Sequence, residues 1–209
     1  MKKIIFLLIC IVIYAWNCYV PQPNGIDVSH YNSISWAKVA ENPNIEFVYV
    51  KATEGNHFID NKFLENMEDA NHSDIHVGAY HYFRTDVSGE KQFNNFSKAL
   101  DQVEFDLIPA IDIEEKFNDF SNKKYIRKQL RIFIQLFEKK YGVKPIIYYG
   151  SMVASVVAPV TYDCKIWVRT MEYSNYIPNV SIKQVGYLDF SGKKVDANYC
   201  SNVNKIMLK

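Results

Sequence analysis

Four acidic residues, Asp27, Asp112, Glu114 and Asp196, hold the chemistry this chain could do. Asp112 and Glu114 interrupt an otherwise apolar run, Leu-Ile-Pro-Ala-Ile-Asp-Ile-Glu-Glu, over residues 107–115. In a strand, residues two apart share a face, with α-carbons about 6.5–7 Å apart. Both acids then point one way while Ile111 and Ile113 point the other. A buried carboxylate without a partner is costly, so such acids are usually paired or functional. A helix N-cap or a salt bridge would account for one of them, but less readily for two in register. Asp27 lies near the end of the apolar stretch 25–28, and Asp196 lies within 194–198.

The surrounding sequence must position these four. Short apolar strands read at 25–28, 47–52, 76–83 and 107–114, alternating with amphipathic helices. The longest helix carries Ile126, Leu130, Phe133, Phe137 and Tyr141 at steps of three and four and stops at Gly142. Further strands read at 144–149, 165–170, 182–187 and 194–198, the last three joined by loops containing Pro159, Pro178 and Gly192. Eight strands with β/α alternation in the first part predict an α/β fold with a parallel sheet, closed as a modified TIM-like barrel with helices mainly in the first half. The first and last strands of such a barrel are neighbours. Asp27 and Asp196 would then sit side by side, facing Asp112 and Glu114 across the mouth. Crowding like charges in a partly desolvated mouth raises the pKa of at least one acid, and a protonated carboxyl beside ionised ones suits glycosidic cleavage. Tyr80, Tyr82, Tyr148 and Trp167 fall near strand ends and would suit sugar faces, although each taken alone is ordinary core packing.

Residues 1–24 read separately. Lys2-Lys3, the apolar run 4–16 and a polar, proline-bearing stretch have the order of a secretory leader. The run is short of the ~20 residues of a spanning helix. No small-x-small cleavage site follows it, so an uncleaved anchor or a lipid on Cys18 stands as an alternative to cleavage. Residues 25–209 form one expected domain, exported and monomeric. The formal charge of +1, or −1 without Lys2 and Lys3 (+1 − 2), argues against a nucleic-acid partner. Export would permit a Cys164–Cys200 disulfide; two buried thiols are the alternative. His30, His57, His72, His76 and His81 show no ligand spacing, so neither metal nor cofactor is expected.

Five stretches in order resemble the glycoside hydrolase family 25 muramidases, the Chalaropsis-type lysozymes. They are Gly25-Ile26-Asp27-Val28-Ser29-His30-Tyr31; Lys51-Ala52-Thr53-Glu54-Gly55 with Asp60, Phe63 and Asn66; Gly78-Ala79-Tyr80-His81-Tyr82; Asp112-Ile113-Glu114; and Val195-Asp196-Ala197-Asn198. The resemblance implies cleavage of the β-1,4 bond between N-acetylmuramic acid and N-acetylglucosamine in peptidoglycan. It casts Glu114 as general acid, Asp112 as the acid assisting the intermediate, and Asp27 and Asp196 as further acids of the site. Two mechanisms are open: attack by a carboxylate, needing carboxyls about 5–5.5 Å apart, or assistance by the sugar's 2-acetamido group. The shared strand face of Asp112 and Glu114 favours the second.

Three positions depart from the family pattern. Lys183-Gln184-Val185 stands where Trp-Gln-Tyr is common, leaving Gln184 as the match; Asn32 replaces a frequent Gln; Arg169-Thr170 replaces small residues. These bear on sugar subsites rather than on the acids. Rival readings are a non-catalytic sugar-binding barrel, a metal-dependent hydrolase, and a hydrolase of another N-acetylated polymer such as chitin. The first would lack Asp112 or Glu114.

Overall fold

A computed structural model describes residues 21–169 and 177–208. The apolar run 4–16, Cys18 and Thr170 lie outside the described residues. The element order is β1 (Gly25–Val28), α1 (Trp36–Ala40), β2 (Phe47–Glu54), β3 (Phe58–Ile59), α2 (Phe63–Asn71), β4 (His76–Tyr82), α3 (Gly89–Leu100), β5 (Ala110–Ile113), α4 (Lys123–Tyr141), β6 (Ile146–Tyr149), α5 (Ala154–Thr161), β7 (Ile166–Val168), β8 (Val180–Asp189) and β9 (Lys194–Tyr199), with a final 3₁₀ turn at Val203–Lys205.

Eight strands close a barrel in the order β1-β9-β8-β7-β6-β5-β4-β2, and β1 pairs with β2 to complete it. The short β3 adds an antiparallel hairpin to the end of β2. The sheet is mixed, which corrects the expectation of a parallel one: β9 runs antiparallel to both β8 and β1. The reason is the connection. Only residues 190–193 separate β8 from β9, whereas a parallel crossover needs a dozen or more. Ser191 (φ 62°) and Gly192 (φ 80°) make this a tight reversal, and the Gly192 amide donates to Asp189 Oδ1 at 2.6 Å. A strand entering from the mouth carries its early residues there, so Asp196 reaches the mouth from the start of β9.

Strand alternation sorts the core into two layers. Phe47, Tyr49, Ala110, Ile146, Tyr148, Trp167 and Ile182 pack inside the barrel, while Val48, Val50, Val77, Ala79, Ile111, Ile113 and Ile147 pack outward against the helices. The inner rings need room, and glycine supplies it. A β-carbon on Gly25 would meet the Phe47 ring at 2.1 Å, and one on Gly78 would meet Tyr49 at 2.7 Å. The C-terminal segment closes the lower end: Ile108 N–H donates to Ile206 O at 2.8 Å and Leu208 N–H to Asp106 O at 2.7 Å, burying Val203 and Ile206 against the inner core.

Outside the sheet, α4 buries Ile126, Leu130, Phe133 and Phe137 along one stripe. Asn122 Oδ1 caps its start by accepting from Tyr125 N–H at 3.1 Å, and Gly142 in the left-handed region ends it. Pro159 lies inside α5 rather than in the loop expected for it. Its missing N–H would leave the Ser155 carbonyl four residues earlier without a donor. Arg127 of α4 supplies one, Nη2 to Ser155 O at 2.8 Å, and its Nε reaches Val156 O at 3.1 Å. Cys164 and Cys200 are buried free thiols in different core layers, so the disulfide that export would permit is not formed.

Candidate active site

The nine residues singled out in the sequence, Asp27, Tyr80, Tyr82, Asp112, Glu114, Tyr148, Trp167, Gln184 and Asp196, line one cavity of about 280 Å³ at the barrel mouth. Register explains the convergence. Tyr82 pairs with Asp112, Asp112 with Tyr148, and Tyr148 with Trp167 in one row across four strands. On the other arc, Asp27 lies directly beside Asp196. Glu114 stands one residue past β5, two on from Asp112, and lines the same cavity. A larger hollow of about 810 Å³ opens at the opposite end of the barrel, lined by residues such as Ile108, Cys164, Lys165 and Met207. It has none of this convergence of acids, so size does not choose the site; chemistry does.

Each acid has a distinct setting. Asn198, fully buried, holds Asp27 by donating from Nδ2 to Oδ2 at 2.8 Å, while its Oδ1 accepts from Trp167 Nε1 at 2.9 Å. Burial and the neighbouring Asp196 push the Asp27 carboxyl well above the usual range, against the pull of the Asn198 bond and with a smaller push from Glu114. Asp112 is also raised well above that range, by burial first, then by Glu114 and Asp27, with Lys51 opposing. Its Oδ1 is sealed from solvent and has no hydrogen-bond partner among the described residues. Burial and Glu114 raise Asp196, with Arg169 opposing. The Tyr148 hydroxyl donates to Gln184 Oε1 at 2.9 Å and lies 3.4 Å from Glu114 Oε1. Burial and the surrounding carboxylates raise Tyr148 and keep it protonated. The Tyr82 hydroxyl donates to Lys116 O, which fixes that ring at the wall.

Several other lining residues carry no role in the sequence pattern. Lys51, 7% exposed, donates to Glu54 Oε2 at 2.9 Å and lies 5.0 Å from the centre of the Tyr82 ring. Arg84 Nη1 donates to Glu54 Oε1 at 3.0 Å. Burial pushes Glu54 up, but these two cations outweigh it and hold the carboxyl below its ordinary value. Lys51 continues the inward alternation Phe47, Tyr49, so its face was readable. Glu54 was not, because an irregularity between Lys51 and Thr53 breaks the pairing with β4 and a bulge reassigns faces. His81 faces away from the mouth, fully buried between Thr53 Oγ1 (2.7 Å) and Gln92 Oε1 (3.2 Å), and burial lowers it to about 4. It is a packed, neutral histidine.

An acid-floored barrel mouth of this topology has a match among known families. The sequence profile described as Glycosyl hydrolases family 25 matches residues 26–195. The chain belongs to glycosyl hydrolase family 25. Its modified TIM-like barrel resembles that of a family 25 glycosyl hydrolase from Bacillus anthracis, with a TM-score of 0.73, 29% identity, and coverage of 87% of this chain and 89% of that one. Among curated relatives, the uncharacterized Escherichia coli O6:H1 protein YegX is 34% identical over 134 residues, 62% of this chain and 48% of YegX. An autolytic lysozyme from Clostridium acetobutylicum is 27% identical over 166 residues, 78% of this chain and 49% of that protein. The chain thus spans about half the length of these two curated relatives.

Proposed function

We propose that this family 25 barrel is a peptidoglycan hydrolase that cuts the β-1,4 bond between N-acetylmuramic acid and N-acetylglucosamine. The observation that carries the reading is the pair Asp112 and Glu114, two positions apart and lining one cavity with Asp27 and Asp196. Asp112 is half-buried and faces that cavity, where a carboxylate can accept from the N–H of a 2-acetamido group. Family membership and relatives named as lysozymes support the same substrate.

In this reading Glu114 donates a proton to the glycosidic oxygen as the bond to C1 breaks. Asp112 holds the acetamido N–H so that the acetamido carbonyl oxygen attacks C1 from the opposite face. Glu114, now a carboxylate, takes a proton from water, which opens the cyclic intermediate and restores the configuration. Asp27 and Asp196 add negative potential beneath a sugar that becomes cationic. Tyr80, Tyr82, Tyr148, Trp167 and Gln184 line the sugar's walls, and Tyr148 with Gln184 orients Glu114. No cofactor takes part. The barrel, residues 25–209, acts as a monomer outside the cytoplasm, exported by the segment 1–24.

Digestion of purified peptidoglycan tests the reading through the new reducing ends. Reducing N-acetylmuramic acid is the expected product; reducing N-acetylglucosamine would overturn the bond assignment. A substrate without the 2-acetamido group separates the two mechanisms, since normal cleavage of it would contradict acetamido assistance.

A further inference from the structure

Phe117 is the one bulky aromatic residue in the left-handed backbone region among the described residues, at φ 63°. A β-carbon makes that conformation costly, and such positions persist only where their surroundings enforce them. The enforcement is visible. Asn118 Nδ2 donates to Phe83 O and to Glu114 O, both at 2.9 Å, and Asn118 Oδ1 accepts from Thr85 N–H at 2.9 Å. The Asp119 amide donates to Thr85 Oγ1 at 3.1 Å, and the Tyr82 hydroxyl donates to Lys116 O. These bonds tie residues 116–119 to the mouth end of β4.

The result is unusual for a strained, well-anchored residue: the ring is not buried. Phe117 is 63% exposed and lines the cavity beside Glu114. No other aromatic ring packs on it among the described residues. Its neighbour is the Lys116 ammonium, 5.1 Å from the ring centre. Lys116 also lines the cavity and pairs with no carboxylate among the described residues. A floor of acids repels an anionic ligand, and an unpaired cation at the rim offsets that repulsion where the ligand enters.

We propose that Lys116 and Phe117 form a specificity shelf for peptide-bearing glycan. The apolar face of a sugar ring lies on Phe117, and a carboxylate of the attached stem peptide meets Lys116. The inference rests on the peptidoglycan reading and deepens it by naming which strands bind best.

The test uses Phe117→Gly and Lys116→Gln, with soluble glycan strands either carrying their peptides or stripped of them. Glycine adopts the left-handed conformation freely, so Phe117→Gly folds with an unchanged or higher melting temperature. It should raise KM about tenfold on both substrates while kcat stays within about twofold. Lys116→Gln should raise KM about two- to fivefold on peptide-bearing strands alone, the range of an exposed ion pair. Strand binding to Glu114→Gln and to Glu114→Gln/Phe117→Gly gives a readout independent of turnover. Unchanged KM and unchanged binding without the ring would overturn the shelf, as would an equal Lys116→Gln effect on stripped strands. A wild type that binds strands yet yields no reducing ends would overturn the proposed activity, and the binding comparison would still decide the shelf.

Discussion

Replacing Asp112 by Asn should stabilise the protein at neutral pH. The two side chains have nearly the same shape, so the exchange removes a charge with little change in packing. Asp112 carries that charge in a sealed position without a protein donor to Oδ1, next to Glu114 and Asp27, with Lys51 as the opposing cation. The amide is no better partnered there, so the gain comes from the charge alone; each unit by which a carboxyl is raised is worth about 1.4 kcal/mol, and discharging it should recover about 1–3 kcal/mol. For a chain of this size that is about 2–10 °C in melting temperature. The sign of the pH dependence follows from linkage. A carboxyl raised in the folded state binds its proton more tightly there than when unfolded, so its contribution is fully present below about pH 3.9 and is lost as pH rises through the folded value. Wild-type melting temperature should therefore fall between pH 5 and pH 8, and Asp112→Asn should fall less. Calorimetric scans of both proteins across that range are the assay. A flat wild-type profile, with no gain for Asp112→Asn at pH 8, would show that Asp112 carries no destabilising charge.

Two further substitutions probe how the fold supports the mouth. Asn198→Ala leaves the buried Trp167 Nε1–H without its acceptor and Asp27 without its donor, and should cost about 2–4 kcal/mol in urea unfolding; a loss below about 0.5 kcal/mol would contradict the bridging role. Arg127→Met removes the donor to Ser155 O that Pro159 makes necessary, and should cost about 0.5–1.5 kcal/mol. Adding Pro159→Ala restores a backbone donor, so the double variant should recover part of that loss; simple additivity would count against the link.

Much of the site was legible because it obeys the strand period of two. Asp112 and Glu114, Tyr80 and Tyr82, and Asp196 with its overlooked neighbour Asn198 each share a face by alternation alone. Barrel closure then brought the first and last strands together, placing Asp27 beside Asp196. What escaped was set by local irregularity. The break between Lys51 and Thr53 turned Glu54 inward, and the tight link after β8 reversed β9. Phe117 owes its place to a backbone conformation that its residue type disfavours, held by bonds to the side chains of Tyr82 and Thr85 and to the backbone of Phe83 and Thr85, more than thirty positions earlier in the chain. Pro159 looked like a loop signal and is accommodated in α5, because an arginine on another helix supplies what proline removes. Such compensations lie in tertiary contacts, which local pattern does not encode.

Proton donation from Glu114 to the glycosidic oxygen is the step on which the proposed activity turns. Its most direct test is Glu114→Gln assayed on purified peptidoglycan for new reducing N-acetylmuramic acid ends, alongside strand binding and a thermal melt. Turnover should fall by at least about a hundredfold, with binding and melting temperature kept. Turnover close to wild type in a folded, strand-binding Glu114→Gln protein would contradict it.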